Sequence, residues 1–142
     1  MAAYEAVPMS QSERALVVLL RLAAAMLLLA TVPVVMPFSW MEAIHRWIGL
    51  GELPDAKIVH YLTRSESGLY AYQGALSLFL SFDVRRYLPL ILFQGWMAVV
   101  FGAAMLAIDA TVGMPLPWIL CEGPAVVALG IAFVWLASNA RR

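Results

Sequence analysis

The chain has 142 residues, 63% of them hydrophobic, and its mean hydropathy is +0.85. Soluble domains contain about 45–50% apolar residues, so this composition indicates a membrane protein. Nine basic and nine acidic side chains balance each other, which gives no basic face for nucleic acid. The single cysteine, Cys121, excludes an internal disulfide and a cysteine zinc site.

Charged residues are confined to a few positions and leave long uncharged runs between them. A hydrocarbon core of about 30 Å needs about 20 helical residues, and four such segments fit. The sequence therefore predicts an all-α, integral membrane four-helix bundle that forms a single domain over residues 1–142. Its spans are expected at residues 15–36, 57–82, 88–108 and 118–137.

Residues 15–36 are too long for the apolar part of a signal peptide and include Arg21, so we expect an uncleaved membrane anchor. Ser12 and Glu13 precede the run and form a candidate N-terminal cap. Pro33 and Pro37 are expected to weaken and then end this helix.

An amphipathic helix is expected at residues 39–48, between the first two spans. Its apolar side chains recur at steps of three and four residues: Trp40, Met41, Ile44, Trp47 and Ile48. Ser39 and Glu42 match a capping box, and Gly49 and Gly51 supply the stop. The helix either lies in the membrane interface or packs on the bundle as a lid.

Small and hydroxyl side chains follow one face of the second span and of the third. Such faces let helices approach closely in lipid, so we expect them to pack within the bundle or against a partner. The residues assigned to this helix packing are Ser67, Gly74, Ser77, Gly95 and Gly102. Because residues 67–82 give only about 24 Å of uncharged helix, the second helix should start earlier, near Asp55.

The connection before the last span, residues 109–117, contains Gly113, Pro115 and Pro117 and is expected to be a turn. Positively charged residues close to helix ends are expected on the side of the membrane opposite to this turn. They are Arg14, Arg85, Arg86, Arg141 and Arg142, so both termini should be cytoplasmic.

Two ionisable residues are expected at membrane depth, Arg21 and Glu122. Arg21 either extends its side chain back to the headgroups, or acts as an inward cation that pairs with Asp83 or binds an anionic lipid head. Gln94, at similar depth, is a candidate neutral partner for it.

Glu122 lies about one turn inside the outer interface, and three interpretations of it stay open. It acts as a polar clamp between the second and fourth spans, as part of an extracytoplasmic pocket, or as an isolated solvated carboxylate. The pocket would comprise Glu122, Gln73, Tyr70 and Glu66 and accept a polar ligand or lipid headgroup. No catalytic or metal-binding motif is present, since His45 and His60 stand outside any ligand pattern, and no cofactor is expected.

Residues 16–30, LVVLLRLAAAMLLLA, resemble the first helix of DoxX-like small bacterial membrane proteins, which have four spans. Residues 61–87 are similar to a segment of uncharacterised bacterial four-helix membrane proteins. The chain departs from the DoxX-like pattern at Ala24 and Ala25, where glycine is common, in lacking a lysine at the end of that helix, and in its amphipathic insertion. The resemblance implies the architecture and a bacterial inner membrane, and it carries over no functional residue.

These patterns favour a non-enzymatic accessory or scaffold protein that packs through its small-residue faces. Its surroundings would be membrane lipid, and its partner a second copy or another membrane protein. The alternative is a lipid- or small-ligand-handling protein, conceivably an enzyme, that uses the polar pocket around Glu122.

Overall fold

The computed structural model describes residues 8–141. Within that range the chain is helical and contains no strand, which confirms the all-α prediction. The elements are α1 (Gln11–Leu28), α2 (Thr31–Val35), α3 (Phe38–Trp47), α4 (Lys57–Leu80), α5 (Val84–Val112) and α6 (Leu116–Ala140). Three segments are long and apolar enough to cross a membrane, namely Gln11–Val35, Val84–Val112 and Leu116–Ala140.

The first helix starts earlier than expected and is broken near its end. Ser10, rather than Ser12, is its cap: the Ser10 hydroxyl accepts from the Glu13 N–H at 3.2 Å, and the Glu13 carboxylate accepts from the Ser10 N–H at 2.6 Å. α1 stops at Leu28, and α2 then carries Pro33. Proline lacks an N–H and its ring crowds the carbonyl four residues earlier, which accounts for the break at residues 29–30.

The amphipathic segment forms α3, although the predicted capping box is wrong. α3 begins at Phe38 after Pro37, its first turn has no side-chain cap, and Ser39 lies inside the helix. Pro37 occupies the cap position, and its side chain has no oxygen that could accept from the N–H groups of the first turn. The stop is confirmed, because Gly49 and Gly51 have φ angles of 83° and 85°, which favour glycine.

The turn predicted over residues 109–117 is wrong in its first half, because α5 continues to Val112. Gly113 then takes a φ of 79°, and the N–H groups of Gly113 and Met114 both donate to the Asp109 carbonyl. This is a common way to end a helix on glycine. Asp109 therefore belongs to the last turn of α5 rather than to a loop.

The long helices pack as two antiparallel pairs, α1 with α4 and α5 with α6, joined where α1 meets α6. We call the end with the α4–α5 connection and residues 8–10 and 141 the termini end, and the opposite end the loop end. The buried core lies toward the termini end and includes Leu16, Leu20, Leu80, Ile91 and Phe133.

The glycines assigned to helix packing on α4 and α5 face different neighbours rather than each other. A Cβ at Gly74 would lie 2.9 Å from the Leu28 backbone nitrogen on α1. A Cβ at Gly102 would lie 2.8 Å from the Gly123 carbonyl oxygen on α6, and Gly95 faces α6 in the same way. Ser77 is buried, whereas Ser67 is half-buried.

Candidate functional site

Acidic side chains from three helices lie within electrostatic range of one tyrosine near the loop end. The carboxyl groups of Glu66, Asp109 and Glu122 all act electrostatically on the hydroxyl of Tyr70. The Glu122 carboxyl is in turn within electrostatic range of Asp109 and Glu66. We call these four residues the carboxylate cluster.

The positions of these residues on their helices explain why they lie near one another. Glu66 and Tyr70 are four residues apart on α4 and so share one face of it. Asp109 lies in the last turn of α5, and Glu122 in the second turn of α6. Gly102 and Gly123 let the α5 and α6 backbones approach closely, which brings the end of one helix beside the start of the next.

Asp109 is the most enclosed member of the cluster, with 4% of its surface exposed. Its Oδ2 atom is buried and has no hydrogen-bond partner within residues 8–141. The sequence predicts a turn over residues 109–117, in which an aspartate needs no explanation, and so does not single out Asp109. The available signal was the stop glycine four residues later, Gly113, which is typical of a helix that runs through Asp109.

Exposure falls across the cluster from one member to the next. Glu66 is exposed, Tyr70 and Glu122 are half-buried, and Asp109 is buried. The indole Nε1 of Trp118 donates a hydrogen bond to Glu122, one turn further along α6. The cluster thus runs from the surface into the bundle and has an aromatic side chain at its edge.

Three of the four predicted pocket residues, Glu122, Tyr70 and Glu66, lie within electrostatic range of one another. Gln73 is half-buried, and no hydrogen bond within the described chain joins its amide to the cluster.

Two basic residues near the loop end, Arg64 and His60, contact groups outside the cluster. Arg64 donates to the carbonyl oxygens of Val34 at 2.6 Å and Met36 at 3.2 Å, where it closes the end of α2. His60 is 2.7 Å from Asp55 and does not reach the cluster. Across residues 8–141, no cluster carboxylate takes part in an ion pair.

The described residues hold no group of three or more His, Cys, Asp and Glu side chains arranged to bind a metal ion. The carboxylates of the cluster are therefore neighbours in the electrostatic sense without converging on one ion-sized point.

At the termini end, Arg21 does not contact the partners that the sequence predicts for it. Arg21 Nε donates to the Ser81 hydroxyl at 3.4 Å, rather than to Asp83 or Gln94. The Asp83 carboxylate instead accepts from the Arg86 N–H at the start of α5, at 3.1 Å. Gln94 donates to the Ser77 hydroxyl at 2.9 Å, and its Oε1 is a second buried atom without a partner in the described chain.

Comparison of the chain with family models, with curated proteins and with solved structures found no match.

Proposed function

We propose that the chain is an integral membrane protein with four crossings, of which α4 is the second. The Glu13–Arg85 ion pair, 2.6 Å long, supports the fourth crossing because it ties the first turns of α1 and α5 together. α1 runs away from that end and α5 starts from it, so the chain between them has to return. α4 is the helix that makes this return, and its 24 residues reach about 36 Å.

We infer that α3 lies in the membrane interface at the loop end rather than closing over the bundle. Trp40 and Trp47 are 64% and 86% exposed, and among the apolar residues of α3 only Met41 is buried. A lid would bury this face against the other helices. An interfacial helix instead inserts it among the headgroups, where tryptophan is favoured.

We propose that the carboxylate cluster binds a ligand carrying a primary ammonium group, which makes this a ligand-handling membrane protein. The observation that carries the proposal is the buried, unpartnered Oδ2 of Asp109. A buried carboxylate oxygen without a donor is costly, and the cost is offset when a cation with N–H groups enters. Tyr70 and Trp118 add aromatic rings, which attract ammonium groups.

The cation that we propose for the cluster is an ammonium group rather than a metal ion. Mg²⁺ and Ca²⁺ draw their oxygen ligands to about 2.0–2.6 Å, and residues 8–141 hold no group arranged in that way. An ammonium group instead donates up to three hydrogen bonds of about 2.7–2.9 Å in diverging directions. Carboxylates that come from three helices can accept hydrogen bonds in diverging directions more readily than they can converge on one metal ion.

The test uses Trp118 as its reporter, because the Trp118 indole donates to Glu122. We expect methylammonium to change the tryptophan emission of the purified protein saturably, while sodium at equal ionic strength leaves the emission unchanged. Asp109→Asn and Glu122→Gln should each weaken binding roughly tenfold, the effect of losing one charge-assisted hydrogen bond. Trp118→Phe should remove the emission change, while methylammonium still raises the unfolding temperature.

An equal response to sodium, or unchanged binding in both carboxylate variants, would contradict the proposal. Phosphatidylethanolamine carries the same ammonium group as a soluble amine. Bilayer discs with and without this lipid therefore separate the two sources, because a headgroup in the site would block the methylammonium response.

The second candidate function is that of an accessory or scaffold protein, and it is favoured by the surroundings of Gly68. No atom lies within 4 Å of the point where a Cβ at Gly68 would stand, in contrast to Gly74 on the same helix. The half-buried residues Ser67 and Ala71 extend this small surface. If a partner helix covers it, Gly68→Leu should leave the chain folded and weaken its association with other copies or proteins, as measured by cross-linking in membranes.

A further inference from the structure

An open cleft of about 230 Å³ lies at the termini end, between α1 and the α4–α5 connection. Its polar lining comes from Arg21, Ser81, Asp83 and Arg85, and Val17 is among its apolar residues. The cleft lies at the opposite end of the molecule from the carboxylate cluster, so its chemistry is independent of the ammonium ligand proposed there.

Two of the charged residues in this cleft already have partners within the chain. Arg85 donates to the Glu13 carboxylate through Nε at 2.6 Å and through Nη2 at 3.0 Å. The Asp83 carboxylate accepts from the backbone N–H of Arg86 at 3.1 Å and so caps α5. The charge of Arg85 is therefore paired with Glu13, and one oxygen of the Asp83 carboxylate is occupied by a backbone N–H.

Arg21 differs from both. Its only hydrogen bond within the described chain is the 3.4 Å contact from Nε to the Ser81 hydroxyl, and no carboxylate of residues 8–141 pairs with it. The Ser81 hydroxyl is itself committed to donating to the Leu78 carbonyl at 2.7 Å. The two terminal nitrogens of the Arg21 guanidinium are therefore available on an otherwise apolar segment.

We propose that this cleft binds the phosphodiester headgroup of an anionic phospholipid, with the Arg21 guanidinium donating to two phosphate oxygens. A guanidinium fork matches a phosphate in this two-pronged way, and a lysine does not. Side chains on a helix lean toward its N-terminus, so Arg21 reaches back to the leaflet surface at the termini end.

The size and the surroundings of the cleft agree with this ligand. Pockets for whole drug-sized molecules span roughly 300–1,000 Å³, so 230 Å³ suits a headgroup whose acyl chains stay in the bilayer. The exposed Arg14 at the same end adds attraction for a negatively charged leaflet. The second oxygen of the Asp83 carboxylate offers an acceptor to the hydroxyl groups of a glycerol headgroup.

The experiment compares phosphatidylglycerol with phosphatidylcholine by native mass spectrometry of the protein in detergent. We expect the wild-type chain to retain phosphatidylglycerol in preference to phosphatidylcholine, and Arg21→Ala to reduce this preference roughly tenfold. Arg86→Ala is the matched control, because it removes the same charge at the same end without lining the cleft, and it should retain the preference. Arg21→Lys keeps the charge and should fall between wild type and Arg21→Ala.

Retention of the preference in Arg21→Ala would overturn the proposal. An equal loss in Arg86→Ala would overturn it as well, since diffuse surface charge would then explain the binding. Displacement of the lipid by inorganic phosphate would assign the cleft to a free anion instead. Thermal unfolding of each variant shows whether a loss of lipid preference comes from misfolding. If Arg21→Ala does not fold, Arg21→Lys decides the test, because a full wild-type preference in that variant would contradict the proposal.

Discussion

Glu13 and Asp109 are buried to nearly the same degree at opposite ends of the molecule, with 5% and 4% of their surfaces exposed. Their surroundings differ. The Glu13 carboxylate accepts from the Ser10 N–H and from Arg85, so its burial is compensated. Asp109 has an oxygen without a donor within residues 8–141, and the Glu122 carboxyl lies within electrostatic range of it. A buried carboxylate stabilises a fold only when it is paired, so Asp109 costs stability where Glu13 contributes it.

The neutral variants Glu13→Gln and Asp109→Asn should therefore shift stability in opposite directions. We expect Glu13→Gln to lower the unfolding temperature by roughly 3–6 °C, and Asp109→Asn to leave it unchanged or raise it. Differential scanning fluorimetry in detergent measures both. Each variant removes one negative charge, so each controls for the other. Equal losses in the two variants would make Asp109 a structural residue and remove the main support for the ligand site.

At the scale of the element, α5 and α6 are held together by glycines that face backbone atoms. A Cβ at Gly130 would lie 2.6 Å from the Gly95 carbonyl oxygen, and one at Gly102 would lie 2.8 Å from that of Gly123. These neighbours are main-chain atoms, which cannot rotate away as side chains do. Any larger residue at these positions has to push the two helices apart.

Gly102→Ala should therefore destabilise the protein by about 1–3 kcal/mol, the usual cost of overpacking. Gly68→Ala is the control, since its new Cβ meets no atom within 4 Å. There we expect a gain of up to about 1 kcal/mol from the better helix propensity of alanine. Unfolding in a denaturing detergent measures both. Equal effects of the two substitutions would show that α5 and α6 do not pack as described.

In the whole molecule, the alternating directions of the long helices bring residues 8–10 and residue 141 to one end. Most of the arginines that lie near helix ends are found at the same end. Arg14, Arg85, Arg86 and Arg141 lie there, whereas Arg142, also assigned to this side, falls outside the described residues. Cationic residues near helix ends favour the cytoplasmic side, so we propose that the termini end faces the cytoplasm.

This topology predicts which positions a membrane-impermeant thiol reagent reaches in intact cells. With Cys121 replaced by serine, single cysteines at Glu52 and Met114 should be labelled from outside, because both belong to loop-end connections. Cysteines at Ser10 and Asn139 should react only after the membrane is opened. Labelling of Ser10 and Asn139 from opposite sides would contradict four crossings, and external labelling of a cysteine at Asp83 would exclude α4 as a crossing.

Hydropathy and the period of the apolar residues depend on local sequence alone. They therefore sufficed for the membrane environment, the helical class, the existence of α3 and the glycine stop after it. Glu122, Tyr70 and Glu66 were also identifiable in this way, because a polar group in an apolar segment is conspicuous without any structure.

Tertiary structure alone decided which helices pair, that Gly74 of α4 faces α1 while Gly95 and Gly102 of α5 face α6, and that Arg85 reaches Glu13. It also decided the burial of Asp109, which depends on α6 approaching α5 across Gly102 and Gly123. Such contacts join residues far apart in the chain. They are set by which backbones can come close, and no local pattern encodes that.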